Sequence, residues 1–167
     1  MCGSETFYIW GSEELMRIST KGRYALRVMI DLARNGKDGF VKLQELSARQ
    51  QISEKYLEGI LGALVRGKLL EGVRGKGGGY RLNVRPEDCS VWQILSLMET
   101  SVAPVSCLDD EVNKCSRAKS CVTLPVWKEL DTMIRDYLDN VKLDQFVRNT
   151  PESEGKIPDG KNWNCGL

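Results

Sequence analysis

Apolar positions along the chain change period several times, and each change marks an element. From Ser19 or Thr20 onward, Ala25, Val28, Met29 and Leu32 recur at i, i+3, i+4 and i+7, which predicts a helix with one buried face that Gly36 and Gly39 end. Phe40, Val41 and Leu43 make a short extended link, Gln44–Gln50 a short helix, and Gln51–Ile52 a turn. Ser53 can cap the next helix, with Glu54 well placed in its first turn, and Leu57, Ile60, Leu61, Leu64 and Val65 line its inner face to about Lys68. Leu70–Arg74 and Tyr80–Leu82 then read as short strands joined by a Gly-rich turn. After a link containing Pro86 and Cys89, Trp92, Leu95 and Met98 predict a short amphipathic helix over Val91–Glu99. Thr123 can cap a last long helix with Pro125 in its first turn. In it Trp127, Leu130, Ile134, Tyr137 and Val141 follow three-and-four spacing, a narrow seam suited to a helix packing on its twin. The alternative is packing against the chain's own domain. Leu143–Val147 adds a short turn of helix.

These elements predict a mainly α protein with a small β-hairpin wing: a winged helix-turn-helix DNA-binding domain plus a long dimerisation helix. The expected divisions are an N-terminal extension over residues 1–15, the DNA-binding domain over 16–99, a cysteine loop over 100–122, the dimerisation helix over 123–147, and a flexible polar tail over 148–167. Residues 1–15 carry no clear period, and Met16 reads as a natural start. No apolar run approaches the roughly 18 residues of a membrane span, and the N-terminus lacks a signal-peptide pattern, so a cytoplasmic location is expected.

Charge divides the chain. Net charge is only +1, yet residues 16–86 hold 15 Lys and Arg against 6 Asp and Glu, whereas residues 87–167 hold 9 against 14. A strongly basic half joined to an acidic one points to a polyanion partner for the first half only. Its candidate contacts are Thr20, Lys21 and Arg23 in the first turn of the first helix. That end disfavours cations unless a phosphate is present. In the second helix of the helix-turn-helix, Lys55, Gly59, Gly62 and Arg66 form a narrow outer stripe flanked by Tyr56 and Glu58, with Ser53 at its start. Such a helix can enter a major groove. In the hairpin, Arg74, Lys76 and Gly77 can touch phosphates or the minor groove. Solvated cations are the bland alternative for each group taken singly. A nucleotide-cradling loop is excluded, because no GK[ST] opens a following helix.

The remaining chemistry lies in cysteine. Of 6 cysteines, Cys107, Cys115 and Cys121 fall within fifteen residues, separated by an acidic and then a basic stretch. In a reducing compartment such clusters are more often metal ligands or redox groups than disulfides. Thiolates suit an iron–sulfur cluster or zinc. Cys89, alone near a helix start, reads as a small filler or an exposed thiol. The chain has no histidine, which removes histidine-based catalysis and histidine ligation, and no base–nucleophile constellation appears, so an enzyme is not expected.

Four segments in combination resemble the Rrf2 family of bacterial transcription regulators: MRISTKGRYAL (Met16–Leu26), ISEKYLEGIL (Ile52–Leu61), VRGKGGGYRL (Val73–Leu82), and the three spaced cysteines followed by Thr123 and Trp127. The resemblance covers about residues 16–147. It implies a winged helix-turn-helix homodimer on a double-stranded DNA operator, without a small-molecule substrate. It makes the helix with Lys55, Tyr56 and Glu58 the groove-reading helix and puts Arg74 at a minor-groove position. Several members carry an iron–sulfur cluster, [4Fe-4S] or [2Fe-2S], on the three cysteines, which implies Cys107, Cys115 and Cys121 as ligands. Others lack the cluster and sense thiol state. The gaps here are seven and five residues rather than the five and five of some members. Where relatives offer a fourth ligand this chain has Leu124, Arg23 and Arg27, none of which can ligate, so the fourth ligand stays open among water, a small thiol, Asp109, Asp110 and Glu111. The expected function is a repressor whose DNA affinity is controlled by the cluster. A cluster-free thiol switch and a zinc-stabilised interaction module are the alternatives.

Overall fold

The computed structural model describes residues 18–36, 39–75, 77–110 and 112–148. The expected extension over 1–15, Lys76, Glu111, and the tail from residue 149 with Trp163 and Cys165 lie outside the described residues, as does Cys2. In chain order the elements are α1 (Thr20–Asn35), α2 (Leu43–Gln50), α3 (Glu54–Arg66), β1 (Leu70–Val73), β2 (Gly79–Leu82), α4 (Val91–Ser96), α5 (Leu124–Asn140) and α6 (Leu143–Arg148). Two single 3-10 turns, Ser106–Leu108 and Ala118–Ser120, interrupt the cysteine loop. No helix among the described residues is long and apolar enough to cross a membrane.

α1 is the centre of the packing. It touches α2, α3, α4, α6 and β2. Ala25, Val28, Met29 and Leu32 on its inner face are fully buried against Leu57, Ile60, Leu61 and Leu64 of α3. Burying each such aliphatic side chain stabilises the fold by about 1.5–3 kcal/mol. The turn between α2 and α3 is made by Gln51 in the left-handed conformation (φ 55°), with Ile52 buried beneath it. β1 and β2 pair antiparallel with Leu70 opposite Leu82 and Val73 opposite Gly79. The turn between them needs glycine where φ is positive, at Gly75 (+96°) and Gly77 (+83°). Tyr80 also exchanges both backbone bonds with Val41 at 2.9 Å, so the predicted extended link docks on the hairpin.

Three local expectations change. α4 stops at Ser96 rather than Glu99, because its last turn tightens and the amides of both Met98 and Glu99 return to the Leu95 carbonyl. Ser90 and Gln93 close the other end of α4 as a reciprocal capping box. Thr123 precedes α5 but makes no side-chain cap; its hydroxyl lies 3.4 Å from Cys121 Sγ instead. Val141 falls just past α5, where its carbonyl accepts from the Val91 amide at 2.9 Å.

One polar cluster is built into this core. Asp31, 5% exposed on α1, accepts from Arg49 Nη2 at 2.6 Å, from Arg49 Nε at 3.0 Å, from Gln50 Nε2 at 2.6 Å and from Asn35 Nδ2 at 3.3 Å. Burial pushes its carboxyl pKa up, but the bonds from Arg49, Gln50 and Asn35 and the Arg49 charge outweigh burial and hold it below its ordinary value. The network therefore stabilises the fold fully above the unfolded pKa of about 4, and loses that contribution as pH falls through the lower, folded pKa. Asp31→Ala leaves a guanidinium that is partly exposed and can rehydrate, so the expected loss is about 2 kcal/mol in urea unfolding at pH 7. The difference from wild type should shrink in the same measurement below pH 4.

Candidate functional site

The outer face of α3 is positioned by its cap and by a brace from α1. Ser53 Oγ accepts from the Tyr56 amide at 3.4 Å. Lys55, Tyr56, Glu58 and Arg66 are all exposed, as is Ser53 itself. Tyr56 rests edge-on against Tyr24, with ring centroids 5.9 Å apart and planes at 87°. The Arg27 guanidinium lies 5.3 Å from the Tyr24 ring and also donates to the Gln50 carbonyl at 2.8 Å. These contacts hold the start of α3 against both α1 and α2. Gly59 and Gly62 lie on the outer stripe. A Cβ on Gly59 would meet nothing within 4 Å, and one on Gly62 only Arg66 Nη1 at 3.5 Å. No packing inside the chain requires these glycines.

In the hairpin, Arg74 and Gly77 are exposed at the tip. Neighbouring Arg81 is committed inside the chain, paired with Glu71 at 2.7 Å and stacked 4.7 Å from the Phe40 ring. Lys21, Arg23, Lys55, Arg66 and Arg74 make no ion pair among the described residues. At the start of α1, Thr20 and Arg23 are exposed and Lys21 is half-buried. The anion-ready end expected there is partly filled by the protein itself. Ser19 Oγ takes the Gly22 amide at 3.0 Å, and Glu99 Oε1 takes both the Ser19 amide (3.1 Å) and its hydroxyl (2.9 Å).

The cysteine loop leaves α4 and runs into α5. Cys107 and Cys115 line one cavity of about 270 Å³ with Ser106, Asp110, Val112 and Lys114. Cys121 does not line it. Hydrogen bonds from the Thr123 hydroxyl and amide hold the Cys121 thiol below its ordinary pKa. Asn113 Oδ1 accepts from the Cys115 amide at 2.9 Å, which leaves Asn113 Nδ2 shut away from solvent with no partner among the described residues. A buried N–H without an acceptor costs about 1–3 kcal/mol. An anionic sulfur beside Cys115 is the kind of acceptor that would satisfy it. The donor set therefore fits a soft metal or an iron–sulfur cluster by its chemistry. Among the described residues, however, no three Cys, Asp or Glu side chains are gathered closely enough to hold a metal ion. The fourth free thiol among the described residues, Cys89, is fully buried in the core, and burial pushes it up to about 11, so it is an inert filler.

α5 buries none of its residues in the single chain. The predicted seam divides between two sides of the helix. Trp127 and Ile134 are half-buried on the side that meets α4, as is Val141 beyond the helix end. Leu130 and Tyr137 are exposed and extend into a second row with Val126 (58% exposed) and Met133 (62%). Asp31, Glu99 and Asn113 escaped the sequence reading. Each acts through a partner that no local period reports. For Asn113 alone there was a signal, an amide residue two positions before a clustered cysteine.

Residues 18–149 match the Rrf2 family, described as an iron-dependent transcriptional regulator. The chain is 37% identical over 134 residues to an HTH-type transcriptional regulator IscR of Pectobacterium atrosepticum, covering 80% of this chain and 80% of that protein. Among solved structures it resembles T. potens IscR (TM-score 0.65, 29% identity, covering 86% of this chain and 94% of that one). It also resembles CymR, the global cysteine regulator of B. subtilis (TM-score 0.64, 29% identity, 80% and 98%).

The glycine stripe gives a test of the DNA face. Gly59→Ala and Gly62→Ala should each raise stability in urea unfolding by about 1 kcal/mol, because alanine favours the helix and has room. Affinity for duplex DNA, followed by fluorescence anisotropy at fixed salt, should fall. Unchanged affinity in both variants would mean that the stripe does not face the duplex.

Proposed function

The chain belongs to the Rrf2 family of transcriptional regulators, proteins that bind DNA and are not enzymes, and from that premise we propose that it is a cytoplasmic, sequence-specific repressor. In our reading its operator affinity is set by an iron–sulfur cluster on Cys107, Cys115 and Cys121. The observation that carries the reading is the loop itself: three thiols between α4 and α5, with the side-chain amide of Asn113, whose oxygen accepts from the Cys115 amide, left without a partner for its N–H among the described residues. When bound, a cluster supplies a redox-active core whose potential responds to charge, to hydrogen bonds on sulfur and to solvent exposure. The chain's own residues do the rest. Cys107, Cys115 and Cys121 would hold the cluster as thiolates and draw the loop together, the Asn113 amide would donate toward sulfur, and Asp109 or Asp110 would be the carboxylates available as a further ligand. Asp110 is at present held by Lys114 at 2.6 Å. Because the loop ends two residues before α5 starts, gathering its thiols bears directly on the start of that helix.

Two copies then meet through α5. The exposed row Val126, Leu130, Met133 and Tyr137 recurs at i, i+4, i+7 and i+11, the spacing of a helix that covers its apolar stripe with a second helix. A two-fold dimer presents α3 twice, and half-sites about one helical turn apart follow from that symmetry. Arg74 and the hairpin tip flank each α3. A cluster-free thiol switch is the second reading, favoured by the lowered pKa of Cys121 and by the separation of its thiol from the Cys107–Cys115 cavity.

Two outcomes are expected. Protein purified without oxygen should be brown and contain iron with acid-labile sulfide, and removing these with a chelator should change duplex affinity at matched salt. Zinc alone would instead support an interaction module, and neither metal nor sulfide the thiol switch. Met133→Glu, which places a charge in the exposed row without touching the core, should shift the protein to monomer in sedimentation velocity and weaken DNA binding. A dimer that persists unchanged would move the interface elsewhere.

A further inference from the structure

Glu99 lies past the end of α4 and eight residues before Cys107, yet its contacts are at the opposite end of the domain sequence. One carboxylate oxygen accepts from the Ser19 amide (3.1 Å) and the Ser19 hydroxyl (2.9 Å), across 80 residues of chain. The same hydroxyl accepts from the Gly22 amide at 3.0 Å. Glu99, Ser19 and Gly22 thus form one hydrogen-bonded chain that closes the first turn of α1. A negative charge is favoured at this helix end, and bonds to a charged acceptor are stronger than neutral ones. Gly22 supplies an independent sign that the approach is tight. It is buried, and a Cβ there would overlap the Glu99 carboxylate oxygen and lie 3.1 Å from Leu95 Cδ2. Only a residue without a side chain lets the end of α4 seat against α1 in this way.

Position gives the interlock its consequence. The turn it closes carries Thr20, Lys21 and Arg23, the candidate phosphate contacts of α1. On the other side the chain runs from Glu99 through Val102, 6% exposed and seated in the fold, to Cys107. Residues 100–106 are the direct covalent path from the cysteine loop to the DNA-binding half. We propose that Glu99 is a positioning residue that couples the cysteine loop to the DNA-facing first turn of α1 through the Glu99–Ser19–Gly22 interlock. The coupling deepens, and rests on, the reading that the state of the loop controls DNA affinity. When the loop is drawn together, the segment after α4 shifts, Glu99 changes its hold on Ser19, and the first turn of α1 tightens or loosens at the phosphate backbone. Two arrangements that bind DNA differently are sufficient for such control.

The test uses full-length protein in two forms, reconstituted with iron and sulfide or stripped by chelator, and a duplex selected from a random library by the wild-type protein. Affinity is read in both forms, together with hydrogen exchange at the Gly22 and Arg23 amides. Wild type should show an affinity ratio between forms on the order of 5–150-fold and an exchange difference at both amides. Glu99→Ala should load iron and sulfide as wild type does, while its ratio falls to about one and the exchange difference disappears, as expected of an uncoupled pair. Glu99→Gln, which keeps the acceptor oxygen, should restore most of the ratio; a merely structural loss would not be rescued in step with the interlock. Should Glu99→Ala fail to fold, Ser19→Ala removes the hydroxyl that links Glu99 to the Gly22 amide, leaves only the backbone amide bond to Glu99, and is expected to lower the ratio. A folded Glu99→Ala or Ser19→Ala that keeps the wild-type ratio and exchange difference overturns the coupling. If wild-type exchange differs between forms and vanishes in Glu99→Ala, yet DNA affinity is the same in both, the coupling stands and the functional reading fails. If wild type shows neither difference, both fail.

Discussion

Asp31 is a carboxylate set into the buried side of α1, and a charge in that place has to be met by the helices around it. Arg49 and Gln50, at the end of α2, meet it with short hydrogen bonds. The last turn of α2 is thereby tied to α1 before the chain turns at Gln51 into α3. Arg27, one turn earlier on α1, holds Gln50 from the other side and stacks on Tyr24, against which Tyr56 of α3 leans. Apolar burial brings α1 and α3 together but is non-directional, whereas hydrogen bonds fix an angle. The pose of α3 depends on this polar scaffold as much as on the leucines beneath it.

Three acids of the basic half are engaged inside it. Asp31 and Glu45 engage Arg49, and Glu71 engages Arg81. Lys21, Arg23, Lys55, Arg66 and Arg74 are left without ion-pair partners among the described residues, and they fall at the start of α1, along α3 and at the hairpin tip. Such a distribution attracts a polyanion at long range and makes the attraction salt-dependent. Gly59, exposed, and Gly62, half-buried, give α3 a smooth surface where close approach to a groove is possible.

The cysteine half is held by much less. Its loop has two single 3-10 turns, and α5 buries no residue within the chain. Segments with few buried contacts sit at the low end of local stability and are the ones a ligand can reorganise. In the proposed function, a rigid DNA-binding half works beside such a loop and needs something to connect them. The seating of the α4 end on α1, with Gly22 making the room, is a connection of that kind.

Much of the architecture was legible in the order of residues alone. The buried faces of α1 and α3, the turn at Gln51, the cap at Ser53, the hairpin with its glycine turn, and the presence of a long helix after Thr123 are all set by periodicity, capping and backbone preference within a few residues of each position. Those forces are local, so a single sequence records them. The spacing of Cys107, Cys115 and Cys121 was equally legible. What only the tertiary structure decided are the pairings between distant residues. Thr123 turns its hydroxyl to Cys121 rather than capping α5; the apolar seam of α5 divides because α4 occupies one of its sides; Asp31 finds Arg49; and Glu99 closes the first turn of α1 from 80 residues away. A three-and-four period says that a face is apolar, not which neighbour covers it. A lone carboxylate says nothing of its partner until the packing of α1 has brought the two together.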